Sequence, residues 1–177
     1  MMILLTGGSA CGKSSYAEKL CMSLPLPRYY IAAMRPYGDG SKKKIARHRE
    51  MRSGKGFETV ERYTDLAGLS LPEKGTVLLE CICNLTANEM FDSDGNMCDP
   101  VSTVLEGVSA LKSRCSNLIV VTNDVGSETP DLSDEAEGTR AYVRALGAIN
   151  AALAREADAV YELVCGIPLP LKGVLPE

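Results

Sequence analysis

Met2-Ile3-Leu4-Leu5-Thr6 runs directly into Gly7-Gly8-Ser9-Ala10-Cys11-Gly12-Lys13-Ser14, and Lys13 opens a helix-forming stretch that continues to about Leu24, ahead of Pro25. A strand-length apolar run, a G-x-x-x-x-G-K-[ST] turn and a helix, in that order, predict a phosphate-binding P-loop. Glycines permit the tight turn that aims backbone N–H groups at phosphate oxygens, and the start of the helix adds the positive end of its dipole. In this reading Gly7, Gly8, Ser9, Ala10, Cys11, Gly12, Lys13 and Ser14 bind the nucleotide. Lys13 reaches the β- and γ-phosphates as a catalytic cation, and the Ser14 hydroxyl ligates Mg²⁺. A chance glycine turn would not need a strand before it and a helix after it.

Outward from the loop, apolar runs alternate with helical patterns, as βαβ units around a parallel sheet require. Strands are expected at 2–6, 29–33, 76–81, 118–122 and 159–164. Helices are expected at 13–24, at 41–51 with Ser41 as a candidate N-cap, at 100–114 behind an Asp99 cap, and at 133–156 with at most one break near Gly138. The tail after Gly166 carries Pro168 and Pro170 and is given no element. With 177 residues, 45% hydrophobic content and no internal repeat, the expectation is a single α/β domain over 1–177. Its class is a P-loop NTPase-type, mostly parallel sheet flanked by helices.

Net charge of −4 and a pI near 5.2 argue against a general nucleic-acid or membrane-surface role. No apolar stretch approaches the ~20 residues of a membrane span, and the start lacks the pattern of a signal peptide. The chain has seven cysteines and one histidine, with no CxxC pair beside a histidine cluster, so zinc is poorly supported. Cys81 and Cys83 stand in an apolar run, where cysteine behaves as a small hydrophobe, and scattered thiols fit a reducing cytosol. A cytoplasmic protein is expected.

Glu80 closes the third apolar run, where a P-loop protein places its magnesium partner, more often as Asp. A polar residue emerging into solvent is the alternative. Thr122-Asn123-Asp124-Val125 stands where a GTPase carries N-K-x-D, without the Lys or its spacing. That argues against a GTPase, though not against GTP, and leaves kinases and nucleotidyltransferases.

Lys42, Lys43, Lys44, Arg47, Arg49, Arg52 and Lys55 form a basic block opposed by Glu50 alone, with His48 at its centre. On a helix Lys44, His48 and Arg52 share one face, where cations suit a polyphosphate and the charge building on a reacting phosphoryl group. An imidazole there is a competent nucleophile. A solvated basic face with a surface histidine fits the same residues. An RNA-binding patch is disfavoured, because no aromatic residue interleaves the block. From the residues alone the reading stops at a P-loop transferase with a suggestive histidine.

Nearly end to end, the chain resembles the bifunctional adenosylcobinamide kinase / adenosylcobinamide-phosphate guanylyltransferase family of cobalamin biosynthesis. The likeness rests on the loop followed by Tyr16-Ala17-Glu18, on Ile45-Ala46-Arg47-His48-Arg49 before Arg52, and on Phe57-x-Thr59-x-Glu61. It continues through Leu78-Leu79-Glu80-Cys81 with Asn88, Val121-Thr122-Asn123-Asp124-Val125-Gly126, Asn150, Ala157-Asp158 and Gly166-Ile167-Pro168 before Leu171-Lys172. The His-Arg segment, the Thr-Asn-acidic-Val-Gly segment and the Gly-Ile-Pro tail are its specific parts.

The resemblance implies two reactions on one chain. The first phosphorylates adenosylcobinamide with a nucleoside triphosphate, ATP or GTP. The second transfers GMP from GTP to the resulting phosphate through a guanylylated histidine, which implies His48. It also implies nucleotide contacts at Ala33, Met34, Arg49, Arg52, Glu61 and Glu80 besides the loop, and a homotrimer; the Mg²⁺ on Ser14 and Glu80 is the P-loop reading given above. The chain departs from the family pattern at Ala10-Cys11, Phe57, Ser127-Glu128-Thr129-Pro130, Ala148 and Ala151. A P-loop small-molecule kinase with His48 as bystander, and a GTP-binding module without turnover, are the competing readings.

Overall fold

In the computed structural model, which describes residues 1–92, 94, 96–125 and 136–174, every inner strand is apolar on both faces. Along β1 (Met2–Thr6), Met2 and Leu4 face one way and Ile3 and Leu5 the other. Such a strand is stable only with helices on both sides. β1 sits inside a seven-stranded sheet with β2 (Arg28–Ala32), β3 (Phe57–Glu61), β4 (Thr76–Glu80), β5 (Asn117–Val121), β6 (Ala159–Val164) and β7 (Ile167–Lys172). The order is β3-β2-β4-β5-β1-β6-β7, and every neighbouring pair is parallel except β6 with β7. This is the expected P-loop NTPase-type architecture.

One face of the sheet packs on Ile82 and Leu85 of α3 (Ile82–Met90), Val104 and Leu111 of α4 (Val101–Arg114), and Leu146 and Ile149 of α5 (Glu137–Glu156). The other packs on Ala17, Leu20 and Cys21 of α1 (Lys13–Met22). α2 (Gly38–Arg52) follows β2. Register then assembles the site. Leu5 aligns with Val121, Val121 with Glu80, Glu80 with Ala32 and Ala32 with Glu61. All five reach the carboxyl edge together, where open α/β sheets bind ligands.

Three elements differ from the sequence reading. β3 was not expected, because an edge strand of sequence Phe-Glu-Thr-Val-Glu lacks a buried apolar run. α3 starts directly after β4, with Cys81 as an N-cap that makes no side-chain cap bond, so nothing announces it. β7 contains Pro168 and Pro170, tolerated because it is the outermost strand.

Ser41 does not cap α2. Tyr37 occupies that position, and the Ser41 hydroxyl donates to the Tyr37 and Gly38 carbonyls within the first turn. Asp99 accepts from the Val101 N–H at 3.0 Å, as the expected cap of α4 should, although Pro100 holds the N-cap position itself. The expected start of the last helix, residue 133, and the Gly126 and 127–130 comparisons lie outside the described residues.

Candidate active site

The loop from Gly7 to Ser14 joins β1 to α1, and two of its glycines are required by close approach. Gly7 has φ 132°, and a Cβ there would meet the Leu163 carbonyl oxygen at 2.6 Å. At Gly12, φ 100°, a Cβ would stand 3.2 Å from the Gly166 Cα. The β6–β7 turn presses on the loop, with the Gly166 N–H donating to the Cys11 carbonyl at 2.8 Å. This places the Gly166-Ile167-Pro168 tail beside the phosphate loop. Lys13 is 6% exposed, and its ammonium donates to the Gly7 and Gly8 carbonyls at 2.8 and 2.5 Å. Ser9 and Ala10 stand exposed at the loop's tip.

Glu80 is 8% exposed, so it is no strand-end residue in water. Its Oε1 accepts from the Ser14 hydroxyl at 2.5 Å and lies 3.6 Å from His48 Nδ1. Its Oε2 accepts from the Tyr30 hydroxyl at 3.0 Å. One carboxylate thus joins the P-loop, β2 and α2. Tyr30 gives no motif signal and was missed in the sequence; it pairs with Leu78, two residues before Glu80, so parallel pairing sets it diagonally across from Glu80 on the same face. Burial, then the Glu80 carboxylate, pushes the Tyr30 phenol well above the usual tyrosine range, so it keeps its proton for that bond.

The basic block divides on folding. Lys42, Lys43 and Arg47 are exposed, whereas His48 and Arg52 turn inward. His48 Nδ1 is 3.4 Å from the Tyr30 oxygen, and the side chain is 28% exposed. With the Tyr30 proton committed to Glu80, both oxygens facing Nδ1 are acceptors, which favours the Nδ1–H tautomer and leaves Nε2 with the lone pair. The Arg52 guanidinium lies over the Tyr30 ring at 3.4 Å from its centroid. Arg52 is 6% exposed, and its Nε and Nη1 have no hydrogen-bond partner among the described residues. Unused donors on a buried cation are what an anion would satisfy.

The remaining expected contacts are placed unevenly. Met34, Arg49 and Glu61 line the same pocket as His48 and Glu80. Arg49 and Glu61 are ion-paired with each other, and Tyr63 donates to Glu61 at 2.7 Å. Ala33 is fully buried; its N–H donates to the Glu80 carbonyl at 3.0 Å and its carbonyl accepts from Asn88 at 2.8 Å, so it braces the site rather than lining it. Asn150 accepts from the Thr122 hydroxyl at 2.7 Å and donates to the Asn123 carbonyl, tying the end of β5 to α5.

Cys83 packs in the apolar core as expected, and its thiol also meets polar neighbours. The Cys81 thiol, then the Asn123 N–H at 3.3 Å, pull its thiol below the ordinary cysteine range.

A glycine-rich loop at a helix start, its lysine, and a hydroxyl–carboxylate pair at the carboxyl edge of a parallel sheet mark a protein of P-loop NTPase-type fold. Residues 3–171 match the family described as cobinamide kinase / cobinamide phosphate guanyltransferase, and the chain belongs to that family. It is 31% identical over 187 residues to the bifunctional adenosylcobalamin biosynthesis protein CobU of Escherichia coli K12, with 97% of this chain and 100% of that protein covered. It is 33% identical over 178 residues to the corresponding CobP of Pseudomonas aeruginosa, with 98% of each chain covered. CobU of Salmonella typhimurium is 30% identical, with 97% of this chain and 100% of that protein covered.

Proposed function

We propose that this chain phosphorylates adenosylcobinamide and then transfers GMP from GTP to the product through a guanylylated His48, in the cytoplasm and as a homo-oligomer. The observation that carries this reading is the shared carboxylate: Glu80 contacts both the P-loop hydroxyl of Ser14 and the imidazole of His48. A solitary surface histidine has no reason to face that pair.

Ser14 and Glu80 offer hard oxygen donors 2.5 Å apart, a set that suits Mg²⁺ when phosphate oxygens and water complete its shell. Bound there, the ion would neutralise phosphate charge. The protein supplies the rest. The loop amides and Lys13 hold the β- and γ-phosphates, while Glu80 and Tyr30 fix the imidazole by its Nδ1 edge. Nε2 attacks the α-phosphorus; a P–N bond forms as the P–O bond to pyrophosphate breaks. Arg52, with Nε and Nη1 unused, meets the negative charge that builds on the transferred phosphoryl group. In the kinase step the same loop presents the γ-phosphorus to the acceptor hydroxyl. A homo-oligomer draws support from β7, which leaves Ile167, Leu169 and Leu171 exposed along a sheet edge, and the resemblance implies a trimer.

Intact-mass spectrometry after incubation with GTP and Mg²⁺ tests the reading. The wild type should gain one GMP in an acid-labile, base-stable bond, and His48→Ala should gain none. A folded, GTP-binding wild type without the adduct returns His48 to the role of bystander and leaves a kinase alone.

A further inference from the structure

The space beside His48 is small, about 50 Å³, and two larger openings adjoin it. One, about 460 Å³, shares Arg49, Arg52 and Thr59 with it and continues along Ser53 and Gly54. Its walls are mainly guanidinium and glycine turn, which suit phosphate, with Phe57 as the one apolar ring. The other, about 560 Å³, shares Met34 and Asn84 with the His48 pocket and runs between the start of α2 and α3. Its walls are of another kind. Met34, Tyr37 and Phe91 offer soft or flat apolar surface, Asn84 an amide, and Arg35 and Lys44 cations. Tyr37 is 69% exposed at the lip, a large ring left in water. Lys44 stands one helical turn before His48 on the same face of α2.

We propose that the groove between α2 and α3 seats the corrinoid acceptor, with its macrocycle against Met34, Tyr37 and Phe91 and its phosphate passing Lys44 toward His48. The inference rests on the guanylyl-transfer reading above. Transfer requires an acceptor phosphate oxygen to reach the phosphorus held on His48; a new P–O bond forms, the P–N bond breaks, and its electron pair returns to the imidazole. The groove opens on that atom's surroundings through Met34 and Asn84. A flat macrocycle edged with carboxamides matches aromatic and thioether surface interrupted by an amide. The phosphate it carries matches the two cations. The arginine-lined opening has a single apolar ring, Phe57, and no amide, and its two guanidinium groups leave it for the nucleotide.

The two half-reactions can be read separately. Ala87, half-buried on the α3 wall, becomes Ala87→Trp, which fills the groove; Tyr37→Ala removes the exposed lip without filling anything. Intact mass reads adduct formation from GTP, transfer to cobinamide phosphate reads the second step, and equilibrium dialysis with cobinamide reads the groove without nucleotide. Adduct formation should stay within about twofold of wild type in both variants, while kcat/KM for cobinamide phosphate should fall about 30-fold in Ala87→Trp and about 5-fold in Tyr37→Ala. Cobinamide retention should fall in the same order. Wild-type transfer and retention in both variants overturn the groove and leave the adduct reading standing. A wild type that forms no adduct overturns the guanylyl reading instead, and dialysis then decides the groove alone.

Discussion

α1 buries Lys13, Ala17, Glu18, Leu20 and Cys21 among its 10 residues, whereas α2 buries Arg52 alone among 15. The first carries the phosphate loop and the second the histidine. α1 is held by apolar burial worth about 1.5–3 kcal/mol for each large side chain. α2 is held by polar contacts: His48 to Tyr30 and Glu80, Arg49 to Glu61, and Lys55, just beyond its end, to Glu18. Contacts of that kind contribute about 1 kcal/mol or less each when exposed. The P-loop is therefore part of the core, and His48, the proposed nucleophile, rides on a helix fixed mainly at its inward edge. Few buried apolar contacts place such an element at the low end of local stability.

The sharpest test of this contrast is the one residue common to both sides. Glu80→Ala removes the partner of Ser14 and of His48 together and should slow guanylylation about 100-fold, a loss typical of groups that orient catalytic ligands. Rapid quench with GTP measures it, with thermal unfolding as a control on the fold. A loss under threefold would mean that the two helices do not depend on Glu80 at all.

Next in size is the tether of α2 to the core. Lys55 donates to Glu18 at 2.5 Å; the Glu18 side chain is 2% exposed and that of Lys55 31%. Lys55→Met strands a buried carboxylate. It should cost about 2 kcal/mol in urea unfolding, less than a fully buried pair because Lys55 stays partly in water. An unchanged midpoint would show that α2 needs no such anchor.

Arg49→Ala should cost under about 1 kcal/mol, since both partners of the Arg49–Glu61 pair are largely exposed. The smallest effect is its pH dependence. The Tyr63 hydroxyl first, and Arg49 second, hold the Glu61 carboxyl below the usual range. A depressed folded pKa adds stability that is present above the unfolded value and lost as pH falls through the folded one. The gap between wild type and Arg49→Ala should accordingly close on acidification below the ordinary carboxylate range. Chemical unfolding at pH 7 and pH 3 reads it, and a gap that persists at low pH would assign it to packing of the arginine stem.

Much of the fold was legible because its signals are local. The apolar runs of β1, β2, β4, β5 and β6 and the loop's glycines each read within a few residues. β3 and β7 were not legible, since edge strands need no buried run, and α3 lacks a capping side chain. In the site, Lys13, Ser14, Glu80 and His48 were found by motif, basic segment and strand end. Tyr30 was not, because nothing in Arg-Tyr-Tyr-Ile-Ala distinguishes a core tyrosine from one that bonds a carboxylate.

The sequence by itself determined the phosphate loop, the parallel sheet and the single histidine in a basic helix, since each depends on neighbours in the chain. Only the tertiary structure decided what those parts meet. Parallel pairing of β2 with β4 brings Tyr30 and Glu80 together across 50 residues of chain. The rotation of α2 about its own axis turns His48 and Arg52 inward and leaves Arg49 paired with Glu61 outside. The reason is physical: a side chain's chemistry is fixed by its type, but its partners are fixed by strand register and helix rotation, which only the packed core selects.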